Sequence, residues 1–120
     1  MADDPARLLN RYHAALARLD YDAMAQMFAP DAVYASRGVG SLTGRDAIIA
    51  AFRQYFASHV HDESLDTLLE NTGPQSAKAH WRLKVRELAS GRVFGRSGTE
   101  TVRFDASGVI VSVVVEDEAS

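Results

Sequence analysis

The side chains able to do chemistry in this sequence are phenols, carboxylates, imidazoles and guanidinium groups, because it contains no cysteine. That absence removes disulfides, thiol nucleophiles, iron–sulfur clusters and cysteine-type zinc sites together. Tyr12 falls among Leu8, Leu9, Ala15, Leu16 and Leu19 at helical spacing. A phenol buried on such a face can donate to a developing oxyanion, and it fits equally as an amphipathic core tyrosine with its hydroxyl at the edge. Glu100 shares strand parity with Val102 and Phe104, which predicts an inward carboxyl that an apolar setting keeps able to donate a hydrogen bond. Arg96 lies on the same face by counting. If it pairs with Glu100, the acid becomes an acceptor and the site suits a polar or anionic ligand better. His59 and His61 flank Val60 ahead of Asp62-Glu63. Two alternating histidines are too few for a metal site, so neither a metal nor a cofactor is expected. His13 and His80 are expected to face solvent or a subunit contact.

Three helices must carry the first half of these residues. Asp4-Pro5 reads as an N-cap followed by proline at the first helical position, opening a helix over about 5–19. Asp20-Tyr21-Asp22 starts a short second helix whose apolar face is Met24, Met27 and Phe28, ending before Pro30. Ala32-Val33-Tyr34 reads as a short strand, Ser36-Arg37-Gly38-Val39-Gly40-Ser41 as a glycine-rich loop, and Thr43 as the cap of a third helix that buries Ile48, Ile49, Phe52, Tyr55 and Phe56. Met24, Met27, Phe28, Phe52, Tyr55, Phe56 and Trp81 suit either plain core or the wall of a pocket for a flat apolar ligand. Leu16, Tyr34, Leu83, Arg96 and Val102 are assigned to that pocket with them.

From His61 the period changes to alternation, and turns at Thr72-Gly73-Pro74, Ser90-Gly91 and Asp105-Ala106-Ser107-Gly108 divide the remainder into four strands. Helices followed by hairpin-linked strands predict an α+β fold with the helices on one sheet face. Between Ser76 and Glu87, Ala79, Trp81, Leu83 and Val85 point one way, and Lys78, His80, Arg82, Lys84 and Arg86 the other. That basic stripe is read as a solvated or dimer-facing surface paired with acids such as Asp66 and Glu70. The last strand sets Val109, Val111, Val113 and Val115 on one face and Ile110 and Val114 on the other. Apolar residues on both faces call for a cover, and a second subunit on the open sheet face supplies it.

The segment from Leu9 to Leu16, then Asp20 to Phe28, Asp31-Ala32-Val33, Thr43 to Ile48, Glu100-Thr101-Val102-Arg103-Phe104 and the valine-rich end resembles bacterial ketosteroid isomerases and their SnoaL-like and NTF2-like relatives. The resemblance implies a single domain over 1–120, with three N-terminal helices on a strongly curved, mostly antiparallel sheet forming a cone-shaped half-barrel around an apolar pocket, frequently in a homodimer. It puts the isomerases' oxygen-binding tyrosine on Tyr12 and their strand acid on Glu100. Their general-base aspartate falls on Ser36, a hydroxyl that is no base near neutral pH without an activating partner. Tyr12, Glu100 and Ser36 are therefore the candidate catalytic positions.

One domain is what 120 residues support, and 47% apolar with 24% charged residues is a globular balance. The acidic opening Met1-Ala2-Asp3-Asp4-Pro5 is unlike a secretory signal, and no apolar run is long enough to cross a membrane. A cytoplasmic protein is expected. A net charge of −3 gives no general attraction to nucleic acid or anionic membranes. The function expected is binding of a small, largely apolar, oxygen-bearing molecule, with isomerase-, cyclase- or dehydratase-like activity as the catalytic version. A non-catalytic dimeric binding module is the alternative.

Overall fold

The computed structural model describes residues 4–118, so Met1, Ala2 and Asp3 of the acidic opening lie outside the described residues. Helix α1 (Pro5–Ala17) begins on proline, whose fixed φ and missing N–H cost nothing there. It stops two residues earlier than the spacing suggests, with Leu19 in the left-handed region at φ 53°. Asp4 precedes it without a side-chain cap. Asp20 does cap α2 (Tyr21–Met27), its Oδ1 accepting from the Ala23 N–H at 3.1 Å.

Two expectations change at this point. Phe28, placed by its spacing on the face of α2, instead opens β1 (Phe28–Ser36). The glycine-rich stretch is only partly loop, since β2 (Gly40–Thr43) folds back on β1 after a turn over 37–39. Thr43 is thus a strand residue opposite Val33 rather than a cap. Gly44, at φ 100°, makes the entry into α3 (Arg45–Ser58), a conformation that only glycine adopts cheaply.

The four later strands are β3 (His59–Gly73), β4 (Ser76–Glu87), β5 (Val93–Phe104) and β6 (Ile110–Asp117). They complete a curved, unclosed six-stranded sheet in the order β2-β1-β6-β5-β4-β3, antiparallel except where β1 runs parallel to β6. Helix α1 lies against β3 and β4, and α3 against β1. Leu9, Tyr12, Phe28, Ile48, Phe52, Val102, Ile110 and Val113 fill the space between helices and sheet. Edge-to-face contacts of Tyr12 on Phe28 (5.5 Å) and Tyr34 on Phe52 (5.1 Å) order that core. Each buried phenylalanine contributes about 1.5–3 kcal/mol through area removed from water.

Strand β4 alternates as its sequence suggests, with Ala77, Ala79, Trp81 and Val85 buried. Strand β6 does not. A register shift opposite Arg103 and Phe104 leaves Val111 as an extra residue, so Ile110 turns inward with Val113 while Val114 stays exposed. The parity reading that put Ile110 outside is corrected by this bulge.

Gly98 sits where β5 passes close to β6 and to Trp81. A Cβ there would lie 2.0 Å from the Glu116 carbonyl oxygen and 2.9 Å from the Trp81 ring. Gly98→Ala must push the two strands apart, and overpacking of this kind costs about 1–3 kcal/mol. Urea unfolding is expected to show that loss with an unchanged slope, and an unaltered midpoint would contradict the tight approach.

Candidate functional site

Cross-strand pairing sorts the inward side chains into rows. Glu100 stands opposite Ala79, which stands opposite Leu69; next come Gly98, Trp81 and Asp66, then Arg96, Leu83 and Ser64, and last Phe94, Val85 and His61. Between these rows and the helices is a cavity of about 460 Å³, within the size range of small-molecule sites. Its apolar wall comes from Leu16, Ala17, Leu19, Val39, Phe52, Phe56, Val60, Leu83 and Val115, with Tyr34 and Trp81 adding aromatic surface.

At one end His13 reaches from α1 to two strands. Its Nδ1 lies 2.6 Å from Asp66 Oδ2, and its Nε2 bonds Glu100 Oε1. Burial, the largest influence, opposes charge on this ring; the Glu100 charge and the hydrogen bonds to Asp66 and Glu100 overcome it and raise the pKa to about 10. A protonated imidazole has two N–H donors and no acceptor, so both carboxylates accept from it. This end therefore offers the cavity carboxylate oxygens, which accept hydrogen bonds or protons. Glu100, only 5% exposed, works here as an acceptor rather than the donor that the resemblance implied.

The other end is built differently. Tyr55 Oη and His61 Nε2 are 2.8 Å apart, and the Tyr55 ring stacks on His59 at 4.6 Å. Burial, with help from the Arg96 and His59 charges, lowers the His61 pKa to about 4, so its ring is neutral at neutral pH. Burial raises the Tyr55 pKa although Arg96 opposes it. Arg96 forms a two-pronged pair with Asp117, 2.8 Å on each prong, and lies over the Trp81 ring at 5.4 Å. Gly38 lets the guanidinium approach the 37–39 turn, because a Cβ there would meet Arg96 Nη1 at 2.9 Å.

Leu16, Tyr34, Ser36, Phe52, Tyr55, Phe56, Trp81, Leu83, Arg96 and Glu100 all line the cavity. Met24, Phe28 and Val102 do not; each is buried in the core, and Met27 packs against it. Tyr12 is also core, with no exposed surface, and its hydroxyl has no hydrogen-bond partner among the described residues. Burial, with the neighbouring Tyr34 and Glu100 of the cavity wall adding to it, holds its pKa above the ordinary phenol value. Ser36 Oγ accepts from the N–H groups of Gly38 (3.1 Å) and Val39 (3.5 Å), which makes it a fastener of the turn. Arg96 pairs with Asp117 and not with Glu100.

His13, Asp66 and His61 are cavity residues that the sequence reading leaves outside the site. His13 was expected at the surface, and Asp66 was assigned with Glu70 to the outer stripe. A register shift between Asp66 and Leu68 sends Asp66 inward opposite Trp81, while Glu70 stays outside near His80 at 3.5 Å. His13, one residue past Tyr12, lies on the side of α1 that faces β3 and β5.

Residues 9–113 match the profile of a family described as a SnoaL-like domain. No curated sequence matches the chain. Among solved structures, a proposed polyketide cyclase from Pseudomonas putida KT2440 superposes with a TM-score of 0.85 at 15% identity, covering 96% of this chain and 92% of its own. An NTF2-like protein from Burkholderia thailandensis E264 gives 0.83 at 21% identity, covering 97% and 92%. The epoxide hydrolase/cyclase-like enzyme SalBIII, described for pyran ring formation in the polyether salinomycin, gives 0.80 at 15% identity, covering 93% and 88%. At these identities the likeness shows the fold alone.

The two ends of the cavity hold imidazoles in opposite states. Imidazole NMR is expected to show His13 protonated until the pH approaches 10 and His61 neutral until it falls toward 4. The His13 shift is upward, so its stabilisation is complete below an unfolded pKa of about 6.5 and disappears as pH rises through the folded value. His61 is shifted downward, so its contribution is present above about 6.5 and lost as pH falls through 4. Ordinary midpoints near 6.5 for both rings would contradict the arrangement.

Proposed function

This chain belongs to the SnoaL-like domain family, and we propose that its cavity binds a small, largely apolar, oxygen-bearing molecule and transfers a proton on it. The observation that carries this reading is the Asp66–His13–Glu100 group set into an otherwise apolar cavity wall. A carboxylate of the group takes a proton from an acidic C–H or O–H of the ligand and returns it at another position, while His13 between the carboxylates stabilises the charge. Isomerisation, cyclisation and dehydration all use such a step. The base that Ser36 does not supply is thus provided from the opposite wall, and Tyr12 contributes packing. The enclosure fits the cone-shaped half-barrel of the family resemblance.

Proton abstraction can be tested without knowing the natural substrate. The probe is 2-tetralone, a two-ring ketone with acidic C–H groups, incubated with the protein in D2O and followed by proton NMR. Wild type is expected to accelerate deuterium uptake. Glu100→Gln and Asp66→Asn should each remove on the order of a hundredfold or more of that acceleration, the usual contribution of a general base. Tyr12→Phe should stay within about twofold, as fits a core residue. No acceleration by folded wild type would remove the catalytic reading, and thermal stabilisation by 2-tetralone alone would leave a binding protein.

A homodimer through the outer sheet face is the second part of the proposal. That face exposes Leu65 (58%), Leu68 (50%), Val33 (43%) and Val114 (40%) beside the basic side chains of β4. Four large apolar side chains exposed on one sheet face are the support for a partner surface there. Sedimentation equilibrium at micromolar concentration is expected to give the mass of two chains, and a monomer throughout would remove this claim.

A further inference from the structure

The carboxylate end of the cavity is rich in acceptors. Both ring nitrogens of His13 are engaged by Asp66 and Glu100, while the Tyr12 hydroxyl and the Trp81 N–H, without partners among the described residues, are shielded from solvent. A ligand hydroxyl can donate to either carboxylate, an interaction that a ligand carbonyl, which only accepts, cannot make. The Tyr55–His61 end has the converse property. A phenol and a neutral imidazole hold two polar protons between them and spend one on their mutual 2.8 Å bond, so one donor is left whichever tautomer is present. Arg96 beside Tyr55 makes the phenol a stronger donor.

The spacing of the two ends follows from the strands. Arg96 and Glu100 are four residues apart on β5, about 13 Å of strand. Trp81 of β4 lies in the row between and Leu83 in the row of Arg96, with Phe52 and Tyr34 lining the same cavity from α3 and β1. That span is too long for one carbonyl and its neighbouring C–H, and it suits a molecule of about two fused rings lying on the Trp81 side.

We propose that Tyr55 and His61, with Arg96 beside them, form a second polar subsite that receives a carbonyl oxygen. The ligand class is then an elongated, ring-bearing molecule with a hydroxyl at one end and a carbonyl at the other, a specificity that rests on the reading of the cavity as a site for an apolar, oxygen-bearing molecule. The hydroxyl lies toward Asp66 and Glu100, and the apolar middle lies against Trp81 and Leu83.

Three probes separate the ends in calorimetric titrations: 6-hydroxy-1-tetralone, 1-tetralone and 2-naphthol. The bifunctional probe is expected to bind wild type about tenfold more tightly than either of the others. Tyr55→Phe, which removes only a hydroxyl, should weaken 6-hydroxy-1-tetralone and 1-tetralone about 3- to 10-fold, the loss of one hydrogen bond, and leave 2-naphthol unchanged. Asp66→Asn should weaken the two hydroxyl-bearing probes and spare 1-tetralone. Equal weakening of all three by Tyr55→Phe, or of none, overturns the subsite, as does failure of every probe to bind. Selective binding without deuterium exchange would count against the proton-transfer reading alone, and exchange without selectivity would count against the subsite alone.

Discussion

The imidazole of His13 joins α1 to β3 and β5, two strands that are not neighbours, because β4 runs between them. Two strand spacings separate them, about 9–10 Å in a flat sheet, and one five-membered ring spans the gap only if the carboxylates of Asp66 and Glu100 lean over β4 from both sides. Ala79, opposite Glu100 on β4, leaves room for this with its short side chain. Sheet curvature, helix position and the charge state of the ring are therefore one constraint. The helix cannot shift along β4 without breaking a charge-assisted bond on one side or the other.

Charge compensation also explains why the cavity can remain hollow. Each cation near it faces a carboxylate partner, Arg96 with Asp117 and His13 with Asp66 and Glu100, so no isolated buried charge has to be sustained. Glu100 exceeds what one imidazolium can balance, since the ring serves two acids. The surplus negative charge at that end makes it receptive to a ligand proton or donor. The buried Tyr12 hydroxyl, without a partner among the described residues, is a cost of about 1–3 kcal/mol in the same region.

The parts of this fold legible in the sequence are those where the chain keeps a single period. Strand β4 pairs with β5 without a register shift from Ser76 to Arg86, and there simple alternation separates Trp81 and Val85 from Lys78 and Arg82 correctly. Helix α1 and the cap at Asp20 were readable for the same reason. Strand β3 carries three register shifts and β6 one, and each shift exchanges inside for outside beyond it. Asp66 and Glu70 share parity in the sequence and lie on opposite faces in the fold because one shift falls between them. No composition or turn signal marks that bulge, so the inward place of Asp66 is not recoverable by counting. Tyr12 is a different case: its place on the buried face of α1 is legible, and its depth, which depends on how closely Phe28 packs over it, is not available from spacing.

A fold shared at 15–21% identity leaves the site free to be rebuilt. In this chain the position that resemblance assigns to a base is a serine whose oxygen is occupied by the turn at Gly38 and Val39, and the position it assigns to an acid donor is a carboxylate receiving a hydrogen bond from His13. Both changes move proton-accepting capacity from the β1 side to the α1 side of the cavity. Gly38 and Ser36 together then have a different task. They shape a turn tight enough to let Arg96 lie close beneath it while Asp117 holds the guanidinium from the other side. The serine at the head of this turn and the cation packed beneath it are compatible, because a neutral hydroxyl accepts from the turn N–H groups without competing with Asp117 for Arg96.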